Sequence, residues 1–448
     1  MKSKKKPVLD DGLAAAARVI AAGGRVPKKF AKARPVSAGP TMAEQESLAK
    51  ITPARRVAFE ILTIVGEGKG HSDELLHGAR TEELSEADKN LTTALVMGVL
   101  RWQIALDARI AGFLQRPDQR LAEPVALALR LGAFQLLHMD RIPAHAALSE
   151  SVELCRAAGH PHATGMVNAV LRKVASAGEA KVGIFETTGA FAVRLGHPVW
   201  LVTRWVAQYG REAAMAICEA GQVEPVSGGL FEAEEGLPGM DDGSRLVAEI
   251  AAAAMPAGGS RVWDCCAAPG GKTLMLAKRL PEAKVLATDV SSRRLGHMTA
   301  RMRRFLHAAN VRAEVADAAK LPAKDGVFDL VLCDVPCSGT GTLARNPEIR
   351  LRLAPEEFAR QSDRQRAILA AALDRVAPGG RLVYSTCSLE PEENERVVEA
   401  VAAGWKRVPV ETLGVPVSLD GMVKDGALRT LPGVNPCDGF FAVVLERE

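Results

Sequence analysis

The sequence of 448 residues predicts two folded domains of different class, an all-α domain followed by an α/β domain. Between residues 50 and 180, apolar residues recur at helical spacing and strand-like alternation is absent. From residue 261 onward, short apolar runs alternate with helical stretches. Such an order implies right-handed crossovers, and therefore a parallel sheet with helices on both faces.

Composition and patterning divide the chain into four segments. Residues 1–35 contain ten Lys/Arg and two Asp, a charge of +8, whereas the whole chain carries +4. A basic tail suits a polyanion such as RNA, but a solvated tail without a specific partner explains the charge equally well. We expect a basic, mostly disordered tail, a helical domain, a helical linker and an α/β domain over residues 1–49, 50–180, 181–243 and 244–448.

The helical domain is expected to begin at Thr52-Pro53, a helix N-cap followed by proline at the first helical position. A second helix follows the capping pattern Ser85-x-x-Asp88. Further helices are expected over 122–139, 145–158 and 162–176. A helical pair over 195–222 and a linker rich in Gly, Glu and Pro over 223–243 come next.

The α/β domain is expected to contain five strands, over 261–266, 285–290, 311–316, 328–334 and 381–385. The helices between and after them are expected over 272–280, 292–308, 356–377 and 392–404. Parallel sheets of this kind bind ligands at the carboxyl ends of their strands. The residues that end the strands are therefore the candidates for a functional site.

The first strand runs into a helix through a loop of small residues, Cys266-Ala267-Ala268-Pro269-Gly270-Gly271-Lys272. Small residues let the backbone approach a ligand, and N–H groups at the helix start point towards it. Gly271-Lys272-Thr273 matches the end of a nucleotide phosphate loop, but Cys266 stands where that pattern needs glycine. The spacing of a dinucleotide fingerprint is also missing. The favoured interpretation is a methyltransferase loop around the methionine part of S-adenosylmethionine.

Acids follow the next two strands. Asp289 ends the second strand, where a carboxylate can accept hydrogen bonds from ribose hydroxyls. This placement suits any adenosine ligand, NAD included. Asp317 closes the third strand and is expected beside the adenine, although a helix N-cap before Ala318 is an equally good interpretation.

The fourth and fifth strands end near Asp334, Cys337 and Cys387, which adjacent parallel strands would bring to one rim. A thiolate that adds to carbon 6 of cytosine makes carbon 5 nucleophilic enough to accept a methyl group. Asp334 could stabilise the adduct at the ring nitrogen, and Lys272 could hold Asp334 and favour a thiolate. A proline before the nucleophile, as in DNA cytosine methyltransferases, would nominate Cys337, so these patterns alone do not decide which thiol attacks.

The remaining composition indicates no metal or membrane partner. The eight cysteines include no CxxC pair and no zinc-finger spacing. No apolar run is long enough to span a bilayer, and residues 1–23 do not have the pattern of a signal peptide. We therefore expect a cytoplasmic monomer.

Two sets of segments resemble known families. In the helical domain, Ala54–Ala58, Ala146–Val152 and Gly165–Arg172 resemble, in order and spacing, the NusB-type RNA-binding domain. In the α/β domain, the likeness is to the Sun/RsmB family of RNA 5-methylcytosine methyltransferases, and it lies in Cys266–Lys272, Asp334–Gly341, Thr386–Ser388 and Asp438–Phe441.

The resemblance implies a Rossmann-like fold, S-adenosylmethionine as cofactor and small-subunit ribosomal RNA as substrate. It implies that Cys387 is the nucleophile and that Cys337 assists release of the methylated base. The loop from Cys266 to Lys272 would line the cofactor site, together with Asp289, Asp317 and Asp334.

Arginines near the ligand edge are expected to contact RNA phosphates. They are Arg293, Arg294, Arg301, Arg303, Arg304 and Arg312 in one stretch and Arg345, Arg350 and Arg352 in another. Arg294 is also expected at the cofactor site.

The linker departs from the family pattern. A small mixed α/β element that helps to grip RNA usually precedes the catalytic domain, but here only residues 223–242 separate the two folded parts. We expect that element to be shortened. This keeps open a second hypothesis, a noncatalytic RNA-binding or ribosome-assembly factor that retains the fold.

Overall fold

The computed structural model describes residues 42–117, 120–178, 186–225, 228–320 and 326–448. These residues form two compact units, one ending at Gln222 and the other beginning at Val223. Most of the predicted basic tail lies outside the described residues. Its last part, Met42–Leu48, is helical, which differs from the disorder expected there.

The first unit is helical throughout its described residues, as the apolar periodicity predicts. Thr52 and Pro53 begin the second helix, and Ser85 caps the long helix by accepting a hydrogen bond from the Asp88 N–H at 3.2 Å. The helices α1 to α11 span Met42–Leu48, Pro53–Gly66, Ser72–Leu76, Ala79–Glu82, Glu86–Ala111, Glu123–His138, Ala144–Ala157, Thr164–Ala177, Thr188–Arg194, Val199–Tyr209 and Arg211–Ala220.

Close packing of α5 and α6 depends on a glycine. A Cβ atom at Gly98 would lie 1.9 Å from Cζ of Phe134, so only glycine lets the ring seat against the α5 backbone. Leu95 and Val99 on α5 and Leu129 on α6 are completely buried. Burial of such side chains is the main favourable term for a helical unit of this kind.

The second unit alternates strands and helices around one sheet. After α12 (Asp242–Ala253), the strands β1 to β9 span Arg261–Asp264, Lys284–Asp289, Val311–Val315, Phe328–Asp334, Val376–Thr386, Lys406–Val408, Val423–Lys424, Ala427–Arg429 and Phe441–Glu446. The helices α13 to α17 span Gly271–Arg279, Ser292–Met302, Ile349–Arg352, Pro355–Leu373 and Glu395–Val401.

The sheet is mixed, which corrects the prediction of a purely parallel one. The five predicted strands lie in the order β3-β2-β1-β4-β5 and pair in parallel, but β9 pairs antiparallel with β5, and β8 and β7 follow. Antiparallel neighbours need no crossover helix. The short strands β6 to β8 have only two or three residues each, too few to produce a recognisable alternation in the sequence.

Helices cover both faces of the parallel part. On one face, α16 packs through Ile368 and Leu369 against Val331 of β4. On the other, α12 packs through Leu246 and Ile250 against the buried side of the same strands. The sheet is thereby a buried layer whose carboxyl-terminal edge carries the loops described next.

The segment before α12 contains no helix or strand over residues 223–225 and 228–241. It is nevertheless anchored to its own unit. The Glu234 carboxylate accepts hydrogen bonds from Arg279 at 2.7 and 2.8 Å and from Arg245 at 2.8 Å, and Arg245 lies over the Phe231 ring. Hydrogen bonds from Arg279 lower the pKa of Glu234 to about 2.

Candidate active site

The loop between β1 and α13 is shaped by its small residues. The Ala267 N–H donates to the Thr288 carbonyl of β2 at 2.8 Å, and the Ala268–Pro269 peptide bond is cis. Gly270 has φ of 96°, and a Cβ there would lie 2.6 Å from Met298. The positive φ and the close approach of Met298 both require a residue without a side chain, so the turn that starts α13 needs glycine at position 270.

A cavity of about 230 Å³ lies against this loop. Its walls include Cys266, Ala267, Ala268, Pro269, Gly271 and Lys272, with Asp264, Arg301 and Asp334 also lining it. The loop residues predicted at the cofactor site therefore share one cavity, apart from Gly270, which is buried in the turn.

Asp264 was not singled out in the sequence, although it ends β1. It is 1% exposed, and its carboxylate accepts a hydrogen bond from Thr273 Oγ1 at 2.6 Å. Burial raises the pKa of Asp264 to about 7, and the neighbouring Asp334 acts in the same direction. A carboxyl group in this state exchanges its proton near neutral pH, so its charge is sensitive to whatever binds beside it.

A larger cavity of about 430 Å³ joins the predicted acids to the predicted thiols. Asp289 is buried at the end of β2, where Oδ1 accepts from the Ser291 N–H at 2.8 Å and from Arg294 at 3.0 Å. Within the described residues, its other oxygen makes no hydrogen bond. The lining includes Cys266, Asp289, Arg294, Asp317, Asp334, Cys337, Arg364 and Cys387.

Asp317 caps a short turn of helix beside the larger cavity. It lines the larger cavity, and its Oδ1 accepts from the Ala319 N–H at 3.1 Å at the start of a short turn of helix, Ala318–Lys320. The capping interpretation and a place at the cavity are thus compatible.

Lys272 and Asp334 form an ion pair between α13 and the end of β4. The Nζ–Oδ2 distance is 2.8 Å, and Ser385 Oγ of β5 donates to Oδ1 of Asp334 at 2.7 Å. Burial opposes the charge on Lys272, but Asp334 outweighs it and raises the pKa of the ammonium group. Asp334 lines both cavities, whereas Lys272 is among the walls of the smaller one.

Cys337 and Cys387 face each other across neighbouring strand ends, with their Sγ atoms 3.3 Å apart. The Gly341 N–H donates to the Cys387 carbonyl at 2.9 Å, which joins the two turns through the backbone. Hydrogen bonding to Cys387, and then burial, raise the pKa of Cys337 well above its usual value. Both thiols line the larger cavity together with Asp334.

The arginines predicted to contact phosphate differ in availability. Arg293, Arg303 and Arg304 are exposed, and Arg312 is exposed beside Glu314 at 2.9 Å. The prediction is wrong for Arg350, which is 2% exposed and donates to the Leu343 carbonyl at 3.1 Å, because a buried guanidinium cannot reach a phosphate outside. Arg345 bonds Asp438 at 2.8 Å, and Arg352 lies 3.9 Å from Glu348.

Three polar residues of the site were missed in the sequence besides Asp264. Ser385 holds Asp334, Glu393 lies buried behind the two thiols, and Arg364 of α16 lines the larger cavity. Each of these residues joins the site through contacts with residues distant in the sequence, so no local sequence spacing identifies it as a site residue. Over the described residues, no group of three or more His, Cys, Asp or Glu is arranged to hold a metal ion, and no helix is long and apolar enough to cross a membrane.

Comparisons with known proteins agree with this arrangement. The family model described as 16S rRNA methyltransferase RsmB/F matches residues 251–446, and the NusB family model matches residues 52–176. A protein of Bacillus subtilis, named probable ribosomal RNA small subunit methyltransferase B, is 30% identical over 89% of this chain and 100% of its own length. A ribosomal RNA small subunit methyltransferase B of Xanthomonas campestris is 33% identical over 90% of this chain and 99% of its own length.

A solved structure extends the likeness to the fold. The crystal structure of a protein named PH0851 is 24% identical, covers 89% of this chain and 99% of its own, and has a TM-score of 0.68. The family models and the relatives together cover both units and the residues of the site. The chain belongs to the RsmB/F family of 16S ribosomal RNA methyltransferases, with a NusB-family domain ahead of its catalytic domain.

Proposed function

We propose that this protein transfers a methyl group from S-adenosylmethionine to carbon 5 of a cytosine in small-subunit ribosomal RNA, with Cys387 as the covalent nucleophile. The observation that carries the proposal is the pair of thiols 3.3 Å apart, beside the Lys272–Asp334 ion pair and inside one cavity. The names of the relatives support the ribosomal substrate.

The residues along the two cavities fit S-adenosylmethionine. Asp289 is a buried carboxylate with one oxygen that the described residues leave unused, which suits ribose hydroxyls. Asp264 and the start of α13 suit the amino and carboxylate groups of the methionine part, because one is acidic and the other presents backbone N–H groups. When bound, S-adenosylmethionine supplies an electrophilic methyl group.

The side chains at the rim supply the remaining chemistry. The Cys387 thiolate forms a bond to carbon 6 of the cytosine, and this makes carbon 5 nucleophilic. The proton that the thiol gives up passes to the ring nitrogen as the thiolate adds, and Asp334, held by Lys272 and Ser385, would accept a hydrogen bond from the resulting N–H and so stabilise the adduct. After methylation, a solvent base takes the proton from carbon 5, the electrons of that C–H bond form the double bond between carbons 5 and 6, and Cys387 leaves carbon 6 as a thiolate. Cys337, 3.3 Å away, assists this release by donating a hydrogen bond to the departing sulfur.

Cys387 lines the larger cavity, whereas a base within an RNA duplex is stacked between its neighbours and paired. The target base must therefore be splayed out of its stack to reach Cys387. The NusB-family unit and the exposed arginines of α14 are the parts expected to hold the surrounding RNA.

The test is methyl transfer from labelled S-adenosylmethionine to under-modified small-subunit ribosomal RNA by the full chain. We expect label on carbon 5 of cytosine with the wild type, no label with Cys387→Ala, and a trapped protein–RNA adduct with Cys337→Ala. Full activity of Cys387→Ala would overturn the assignment of the nucleophile. Cofactor binding without transfer to any ribosomal RNA would favour the noncatalytic RNA-binding factor instead.

A further inference from the structure

A buried carboxylate lies directly behind the two thiols. Glu393, in the segment between β5 and α17, is completely buried. Its Oε1 accepts from the Ser338 backbone N–H at 2.8 Å and from the Gln365 side-chain amide at 3.1 Å. Its Oε2 accepts from the hydroxyls of Ser338 and Ser388. Burial raises the pKa of Glu393, and the hydrogen bonds from Ser338, Ser388 and Gln365 oppose this shift because they favour the ionised carboxylate.

The partners of Glu393 are the immediate neighbours of the thiols. Ser338 follows Cys337, and Ser388 follows Cys387. The same Gln365 amide also donates to the carbonyl of Pro336, on the other side of Cys337, at 3.0 Å. One carboxylate therefore joins the turn that carries one thiol to the turn that carries the other.

We propose that Glu393 is a positioning residue for the thiol pair, because its carboxylate clamps the two turns together and places a negative charge on the Cys337 side. The Sγ–Sγ distance of 3.3 Å follows from this clamp. The expected effect of Glu393 on methyl transfer rests on the proposed function, whereas its effect on the position and charge of the thiols does not.

The charges around the pair are arranged asymmetrically. Hydrogen bonding to Cys387, then burial, then the charges of Cys387 and Glu393 raise the pKa of Cys337. Burial opposes the charge on Lys272, whereas Asp334 and Cys387 raise its pKa, so the ammonium group acts on the Cys387 side. Tyr384 stays a neutral phenol because burial raises its pKa, and Arg364 lines the cavity in front. The negative charge of Glu393 behind Cys337 and the positive charge of Lys272 on the Cys387 side together keep the proton on Cys337.

The first experiment uses Glu393→Gln, which keeps the size of the side chain and removes its charge. In a Cys387→Ala background, we expect the pH midpoint for alkylation of Cys337, followed by mass spectrometry, to fall by about one unit when the negative charge is removed. A structural role alone leaves this midpoint unmoved. An unchanged midpoint in folded protein would overturn the electrostatic part of the proposal.

The second readout is catalysis in the otherwise wild-type chain. We expect kcat to fall about 100-fold, the scale on which a misplacement of about 1 Å acts, while the KM for S-adenosylmethionine stays within about twofold. Glu392→Gln is the matched control, since Glu392 pairs with Arg396 at the surface at 3.1 Å. Equal kcat values for the two variants would contradict the positioning role.

A third variant covers the case in which Glu393→Gln does not fold. Ser388→Ala removes one hydroxyl tie on the Cys387 side and leaves the buried charge in place. We expect a lower kcat with an unchanged alkylation midpoint, and an unchanged kcat would overturn the clamp. If the wild type methylates no RNA, the proposed function fails, but the alkylation profile needs no RNA and still decides the electrostatic role of Glu393.

Discussion

The two units each bury an ion pair, and the two pairs differ in what surrounds them. In the helical unit, Arg55 donates to Glu150 at 2.9 Å, to Gln135 at 2.7 Å and to Thr52 at 2.9 Å. Thr52 donates to the second Glu150 oxygen through both its N–H and its hydroxyl. In the methyltransferase unit, Lys272 and Asp334 lie 2.8 Å apart, but both line a cavity.

The different surroundings of the two ion pairs indicate that the first stabilises the fold and that the second is available to a ligand. The carboxylate and the guanidinium of the helical pair are satisfied by the protein itself, so the network holds α2, α6 and α7 together and offers nothing to a ligand. Asp334 keeps 25% of its side chain exposed towards the cavities. A buried charge network indicates a functional site only where part of it remains open to a ligand.

The largest effect on stability is expected from Arg55→Met. The substitution leaves Glu150 buried without its cationic partner, a change that typically costs about 3–5 kcal/mol. We expect this loss in the free energy of unfolding of the helical unit, measured by denaturant titration. The matched control is Arg56→Met, one residue away and exposed. A loss below 1 kcal/mol would contradict a structural role for the network.

The opposite pattern is expected for Lys272→Met. Asp334 keeps its hydrogen bond from Ser385 and its contact with the cavity, so the fold tolerates the loss. Removal of one preorganised charge from an active site typically lowers kcat by about 10²–10³-fold. We expect that loss in methyl transfer with a melting temperature close to that of the wild type. A large fall in melting temperature with normal kcat would reverse the comparison.

Much of this arrangement could be predicted from the sequence, and the missed parts share a physical cause. The segments around Arg55 and Glu150 mark the helical unit, and the structure shows that they meet in one network. The strand ends near Asp289, Asp334, Cys337 and Cys387 follow from apolar runs and from the rule that parallel strands end at one edge.

The parts that were missed depend on partners distant in the chain. Glu393 lies in a stretch with three other glutamates, Glu390, Glu392 and Glu395, where no periodicity distinguishes the two buried ones, Glu390 and Glu393, from the others. Helix α12 was not delimited because the Gly- and Glu-rich residues before it concealed its start. Arginine is a residue type usually found at the surface, but Arg350 is buried. Its burial depends on tertiary packing, which the local sequence does not reveal.

Asp264 provides a test of the ligand-facing network against pH. Burial raises its pKa in the folded protein to about 7, above the 3.8 of an aspartate in water, so the ionised form destabilises the fold. Stability is therefore lost as the pH rises through the window between these values, and the loss is complete above pH 7. We expect Asp264→Asn to gain about 3 kcal/mol relative to the wild type between pH 5 and pH 8. Thermal unfolding at the two pH values measures this, and a constant difference would contradict the raised pKa.

The smallest effect is expected at Arg364, which extends the comparison to the RNA. Arg364 lines the larger cavity, whereas Arg366, two residues further along α16, is not among its lining residues; both arginines are exposed. Neither arginine makes a hydrogen bond or ion pair with the described residues. Loss of one phosphate contact reduces the slope of log affinity against log salt by about 0.7 for single-stranded RNA.

We therefore expect Arg364→Gln to raise the KM for RNA about fivefold, the scale of one charged contact, and to lower the salt slope by this amount. Arg366→Gln should change neither quantity, and the affinity for S-adenosylmethionine, measured by calorimetry, should be the same in both variants. A loss of cofactor affinity in Arg364→Gln would mean that this arginine contacts S-adenosylmethionine, as Asp289 is proposed to do, rather than the RNA. Equal salt slopes in the two variants would contradict an RNA contact at Arg364. They would mean that lining the cavity does not distinguish an arginine that binds RNA from one that is merely exposed.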